Sequence, residues 1–201
     1  MIVQRIRVLS TGVLLILAVS QASLRPVTAQ SPIDVVRTRN QAVERILDEA
    51  GDDVGQSDLE RLKDVINSFI DFEELSRRGL GRYWDERTEQ EQADFVNVFR
   101  ELIRNSSVQK LSVHTADSVQ YLHESINGTD ATVNTVAYKH PNEIEIVYRM
   151  HKVGDEWMVF DMIVDGASTV RNYRDSFHRE IAATSYSEMY AKLVRRLNEN
   201  P

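Results

Sequence analysis

Between about Val119 and Val164 the hydrophobic period of this chain is 2, and on both sides of that stretch it is near 3.6. A chain built this way cannot interleave strands with helices. Its strands must pair with their sequence neighbours, and its helices must collect on the sheet they leave uncovered. The turn residues agree. Asn127-Gly128 separates a strand near Val119–Ser125 from one near Ala131–His140, Pro141-Asn142 turns the chain again, and Gly154-Asp155 opens the last hairpin. In the third strand Ile144, Ile146, Tyr148 and Met150 alternate with Glu145, Arg149 and His151. Four strands joined by short turns predict an antiparallel meander.

The fourth strand is the most informative. Trp157 to Val164 is apolar at both parities except at Asp161. A strand apolar on both faces is covered on both faces. Helices, or helices and a ligand, must lie against it.

The flanking helices carry their own start signals. Ser31-Pro32 places an N-cap before a proline at the first helical position, and Ile33, Val36, Asn40, Val43 and Leu47 follow at helical spacing with Ile46 beside them. Ser57-Asp58-Leu59-Glu60, Thr88-Glu89-Gln90-Glu91 and Ser185-Tyr186-Ser187-Glu188 read as capping boxes. A short helix is predicted over Phe72–Arg78, broken by Gly79 and Gly81. After Asp165-Gly166, Val170, Tyr173, Phe177 and Ile181 recur at spacing three or four. The expected fold is α+β, with a four-stranded antiparallel sheet packed against several helices. No linker or repeat divides it.

Residues 1–29 stand apart. Arg5 and Arg7 precede the apolar run Val8–Val19, and small residues follow at two sites, ending at Ala22 and Ala29. That order predicts a secretory signal peptide cleaved after one of them, leaving residues 30–201 as the domain. The leader holds three of the 24 basic residues and none of the 31 acids, so the remainder carries 21 against 31, a formal charge of −10. Such a surface repels nucleic acid. The chain has no cysteine, which excludes thiol catalysis, disulfides and cysteine metal sites. An exported chain without disulfides must hold its fold by packing.

Catalytic patterns are absent. The five histidines show no metal-ligand spacing, and there is no nucleophile elbow, phosphate loop or dinucleotide fingerprint. No metal and no cofactor is expected. Asp161 and Asp165 are the acids set among apolar neighbours. They read as a hydrogen-bond acceptor for a helix end and as a turn residue, against the alternative of an acid–base pair. Arg149, Arg171 and Arg174 read as surface residues, with the alternative that an arginine at a cavity mouth holds a lipid phosphate.

The run Trp157-Met158-Val159-Phe160-Asp161-Met162-Ile163-Val164-Asp165-Gly166-Ala167-Ser168, continued by Val170, Asn172, Tyr173, Arg174 and Phe177, resembles the MlaC family. These are periplasmic phospholipid-binding proteins of the Mla pathway, also called the toluene-tolerance family. The segment Phe69–Ile103 fits too, with its Gly-Arg-Tyr-Trp, whereas the likeness before Ser57 is weak. The resemblance implies a sheet like that of nuclear transport factors, an internal pocket for acyl chains, and no enzymatic activity. It also implies a periplasmic carrier that shuttles phospholipid between an outer-membrane lipoprotein complex and the ring subunit of an inner-membrane ABC transporter, maintaining outer-membrane lipid asymmetry. Ala167-Ser168-Thr169 departs from the bulkier apolar residues the family favours. A branch of the family accompanies hopanoid synthesis, so hopanoid is an alternative ligand.

The expected pocket wall is drawn from Tyr83, Trp84, Phe95, Phe99, Ile103, Ile144, Ile146, Tyr148, Val159, Met162, Val170, Tyr173 and Phe177. A strand bulge would exchange which parity faces it. Two other readings remain at this point. One is an exported enzyme using Asp161; the other is an envelope protein-binding module with a fully packed core.

Overall fold

The computed structural model describes residues 30–113 and 116–199, with backbone alone for 107–113. The expected signal peptide and both its cleavage sites lie outside the described residues. Among these residues six α-helices and five strands follow in the order α1 (Pro32–Ala50), α2 (Gln56–Asn67), α3 (Phe72–Leu80), α4 (Glu89–Val113), β1 (Ser118–Asn127), β2 (Asp130–Lys139), β3 (Asn142–Val153), β4 (Glu156–Val164), β5 (Ala167–Ser168), α5 (Thr169–Ala183) and α6 (Tyr186–Glu199), with one 3-10 turn at Gly81–Tyr83. No helix among the described residues is long and apolar enough to cross a membrane.

The helix starts follow local chemistry. The Ser31 hydroxyl accepts from the Asp34 N–H at 3.3 Å ahead of Pro32. At α4, Thr88 Oγ1 accepts the Glu91 N–H at 3.2 Å while the Glu91 carboxylate accepts the Thr88 N–H at 2.8 Å, a reciprocal capping box. Two boundaries differ from expectation. Helix α2 begins at Gln56 with Gly55 as its N-cap: the Asp58 carboxylate accepts the Gly55 N–H at 3.2 Å, which places Ser57 inside the first turn. Helix α3 runs through Gly79 to Leu80 and is ended by Gly81 alone, whose φ of +54° lies in the left-handed region. Gly79 is tolerated because it lies against the rings of Phe177 and Phe99.

The sheet has the order β1-β2-β3-β4-β5, antiparallel throughout. It has five strands and not the expected four. At Asp165-Gly166 both residues take positive φ, 46° and 79°, as a type I′ hairpin turn requires. The turn folds Ala167–Ser168 back onto Val164 and Ile163 before α5 begins. Beside it, the same edge of β4 is covered by the segment entering α3: Val159 donates to Phe69 O and accepts from the Asp71 N–H, both at 2.8 Å.

One face of the sheet is the core face. Ala131, Val133, Thr135 and Ala137 of β2 are buried on it, as are Tyr148 and Met150 of β3. Helices α1, α2, α4 and α5 close over this face. Where α4 and α5 meet, Phe95, Phe99, Tyr173 and Phe177 form an aromatic cluster, with the Phe99 and Tyr173 rings edge-on at 4.8 Å.

Candidate functional site: an apolar cavity behind the sheet

The helices do not fill the space over the sheet. A cavity of about 480 Å3 remains, within the span typical of small-molecule sites (~300–1,000 Å3). Its floor is Tyr148 of β3 with Val159, Met162 and Val164 of β4. Its roof is Val43 of α1, Val65 and Ile66 of α2, Ile103 of α4 and Tyr173 of α5, and Phe69, Ile70 and Leu75 close it on the α3 side.

That floor depends on an irregularity in β4. Tyr148 pairs with Met162 and Arg149 with Asp161, but Met150 pairs with Val159, so Phe160 is an extra residue opposite the junction of Arg149 and Met150. The bulge resets the alternation. Val159 and Met162, of opposite parity in sequence, both reach the cavity, while Asp161 falls beside Arg149. The displaced Phe160 ring lies under the Arg78 guanidinium at 4.1 Å and edge-on to His151.

Of the thirteen residues expected in the wall, the cavity brings together Ile103, Tyr148, Val159, Met162 and Tyr173. Phe95, Phe99 and Phe177 lie behind Tyr173 in the aromatic cluster. Trp84 and Val170 line a separate groove. Tyr83 packs edge-on against His178, and Ile144 and Ile146 precede Tyr148 in β3 and are not on the lining. The wall contributed by α1 and α2 was not anticipated. Its one sequence signal is Asn40, a polar residue inside the apolar stripe of α1, which here lines the cavity and donates to the Tyr121 hydroxyl at 3.1 Å.

Polar groups on the lining are few. Burial pushes the Tyr148 phenol up to about 12 and raises that of Tyr173, so both stay neutral through physiological pH. Among the described residues Arg39 is the cation of the lining, and its buried Nε has no hydrogen-bond partner there. Asp161 is the one acid. Its two oxygens accept the Ser168 hydroxyl at 2.7 Å and the Val170 N–H at 3.0 Å, which ties the first turn of α5 to β4. The aspartate is thus the helix-end acceptor that the sequence suggests. No second carboxylate stands with it on the lining, so the cavity offers volume and apolar surface rather than an acid–base pair.

The profile of the family described as "MlaC protein" matches residues 37–195, most of the chain and every element from α1 to α6. The chain belongs to the MlaC family. Among solved structures it is similar to a phospholipid-binding protein from Ralstonia solanacearum, determined in complex with a phospholipid. That likeness has a TM-score of 0.73 at 20% identity and covers 85% of this chain and 98% of the other, which establishes the shared fold. No curated protein matches the chain significantly. Family membership and the fold shared with a phospholipid-binding protein agree with a cavity that binds a ligand.

Proposed function

We propose that this protein is a lipid carrier of the cell envelope that encloses the acyl chains of a phospholipid in the cavity behind its sheet. The observation that carries the reading is the cavity itself: about 480 Å3 of mostly apolar space whose single acid is already committed to the fold. Each methylene exposed to water costs about 0.8 kcal/mol, so a sixteen-carbon chain cannot cross an aqueous compartment unprotected at a cost on the order of 12 kcal/mol. A soluble shell around the chain removes that cost without any catalytic group. The phospholipid held by the Ralstonia solanacearum protein of the same fold supports the same ligand class here.

The carrier would work in the periplasm after removal of residues 1–29. Its route would join an outer-membrane lipoprotein complex to the ring subunit of an inner-membrane ABC transporter, and so maintain outer-membrane lipid asymmetry. A hopanoid is the second reading: Thr169, part of the Ala167–Thr169 departure from the family pattern, lines the cavity and so bears on its shape. A binding module with a fully packed core fits poorly with the space left between α1, α2, β4 and α5.

Met162→Glu tests the assignment. Met162 is only partly buried, so the fold should survive while the cavity acquires a charge. Uptake of fluorescent phospholipid from vesicles should fall at least tenfold. A folded variant that loads normally would remove the cavity as the lipid site.

A further inference from the structure

Asp161 is the one described residue shared by the cavity and a second depression, a groove of about 630 Å3 on the other side of the first turn of α5. Six arginines line it: Arg77 and Arg78 of α3, Arg82 just beyond, Arg149 of β3, and Arg171 and Arg174 of α5. The acids on its lining are Asp85 and Asp161, and the latter is occupied by Ser168 and Val170. The whole chain has a formal charge of −7, so this concentration of positive charge runs against its composition.

The arginines are not equivalent. Arg77 and Arg78 share Glu74, at 2.7 and 2.6 Å, and Arg82 lies over the ring of Tyr83. The side chains of Arg149, Arg171 and Arg174 have no hydrogen bond or ion pair to any described residue. Elsewhere on the surface Arg37, Arg61, Arg87 and Arg104 each hold an acid. The bulge at Phe160 is what turns Asp161 and Arg149 to one side, and the buried Phe160 and Trp84 give the groove an apolar floor. Arg149, Arg171 and Arg174 are exposed, and positive groups gathered around one concavity raise the local potential above that of a flat surface. Guanidinium forks arriving from different elements suit the several oxygens of one phosphate.

We propose that this groove is a phosphate-binding site, separate from the apolar cavity. The phosphate belongs either to a lipid head group or to a free phosphate compound. The site stands on the groove alone; only its use for a head group rests on the carrier reading.

Calorimetric titration of the full chain with inorganic phosphate at low ionic strength should show saturable binding. The variant combining Arg149→Gln, Arg171→Gln and Arg174→Gln should bind at least tenfold more weakly, and added salt should weaken the wild type. Vesicles assign the source. Preferential capture of phosphatidic acid over phosphatidylcholine vesicles, lost in the triple variant, assigns the head group. Phosphate binding with no such preference assigns a free phosphate compound. No phosphate binding, or equal binding by the triple variant, overturns the proposal. Saturable binding of a decaglutamate peptide without phosphate binding overturns it too, in favour of an acidic protein partner. Lipid content measured on the same samples keeps the two sites apart: an empty cavity with phosphate binding intact refutes the carrier reading and leaves this one standing.

Discussion

The Asp161 carboxylate accepts the Ser168 hydroxyl at 2.7 Å in surroundings so closed that 2% of the aspartate is exposed. The same carboxylate holds the Val170 N–H, so strand β4 and the start of helix α5 are joined through one side chain. Because Thr169, Asn172 and Tyr173 line the cavity from that helix, Asp161 sets the position of one cavity wall.

Asp161→Ala leaves a buried hydroxyl and a buried N–H without their acceptor. Hydrogen bonds to a charged group are worth about 1.5–3 kcal/mol, so the variant should lose about 3 kcal/mol. Urea unfolding of both proteins measures the loss. Unchanged stability would mean that water or a neighbour replaces the carboxylate.

Alkaline pH probes the cavity floor. Burial raises the Tyr148 phenol to about 12 in the folded protein, against about 10 in the unfolded chain. The contribution is intact below pH 10. Above it the unfolded chain releases its proton first, and stability falls as pH rises toward 12, by up to about 2–3 kcal/mol. Tyr148→Phe should flatten part of the fall between pH 9 and pH 11.5 in urea midpoints. Parallel curves for the two proteins would place the alkaline transition elsewhere.

Gly81 tests the junction after α3. Its φ is +54°, and an added Cβ would stand 3.1 Å from His178 Nε2, which itself donates to the Leu80 carbonyl oxygen, 2.8 Å away. Backbone strain and crowding act in the same direction. Gly81→Ala should cost about 1–3 kcal/mol and lower the melting temperature by several degrees. A variant as stable as the wild type would show that His178 yields.

The sequence discloses most of this architecture because the period of apolar residues is a direct record of which face is buried. The alternation at Ile144, Ile146, Tyr148 and Met150 survives in β3, and the capping box at Thr88 and Glu91 starts α4 as expected. Strand β5 could not be read that way, since two residues carry no period. The bulge at Phe160 was equally hidden. It alters parity without altering composition, and it decides that Asp161 accompanies Arg149 while Met162 joins Val159. The α1 and α2 walls were obscured for a third reason: a stripe facing a cavity and a stripe facing a packed core obey the same spacing. The arginine groove is the clearest case. Arg77, Arg78 and Arg82 are some seventy residues from Arg149 in sequence, and only the docking of α3 beside β4 brings them together.

The central claim is that the space between Val43, Ile66, Tyr148, Met162 and Tyr173 is occupied by lipid in the working protein. Mass spectrometry of the organic extract from protein purified without detergent tests it most directly. The account predicts phospholipid in stoichiometric amount, with hopanoid in its place selecting the second ligand class. A protein that emerges empty, and takes up no lipid when mixed with vesicles, would contradict it.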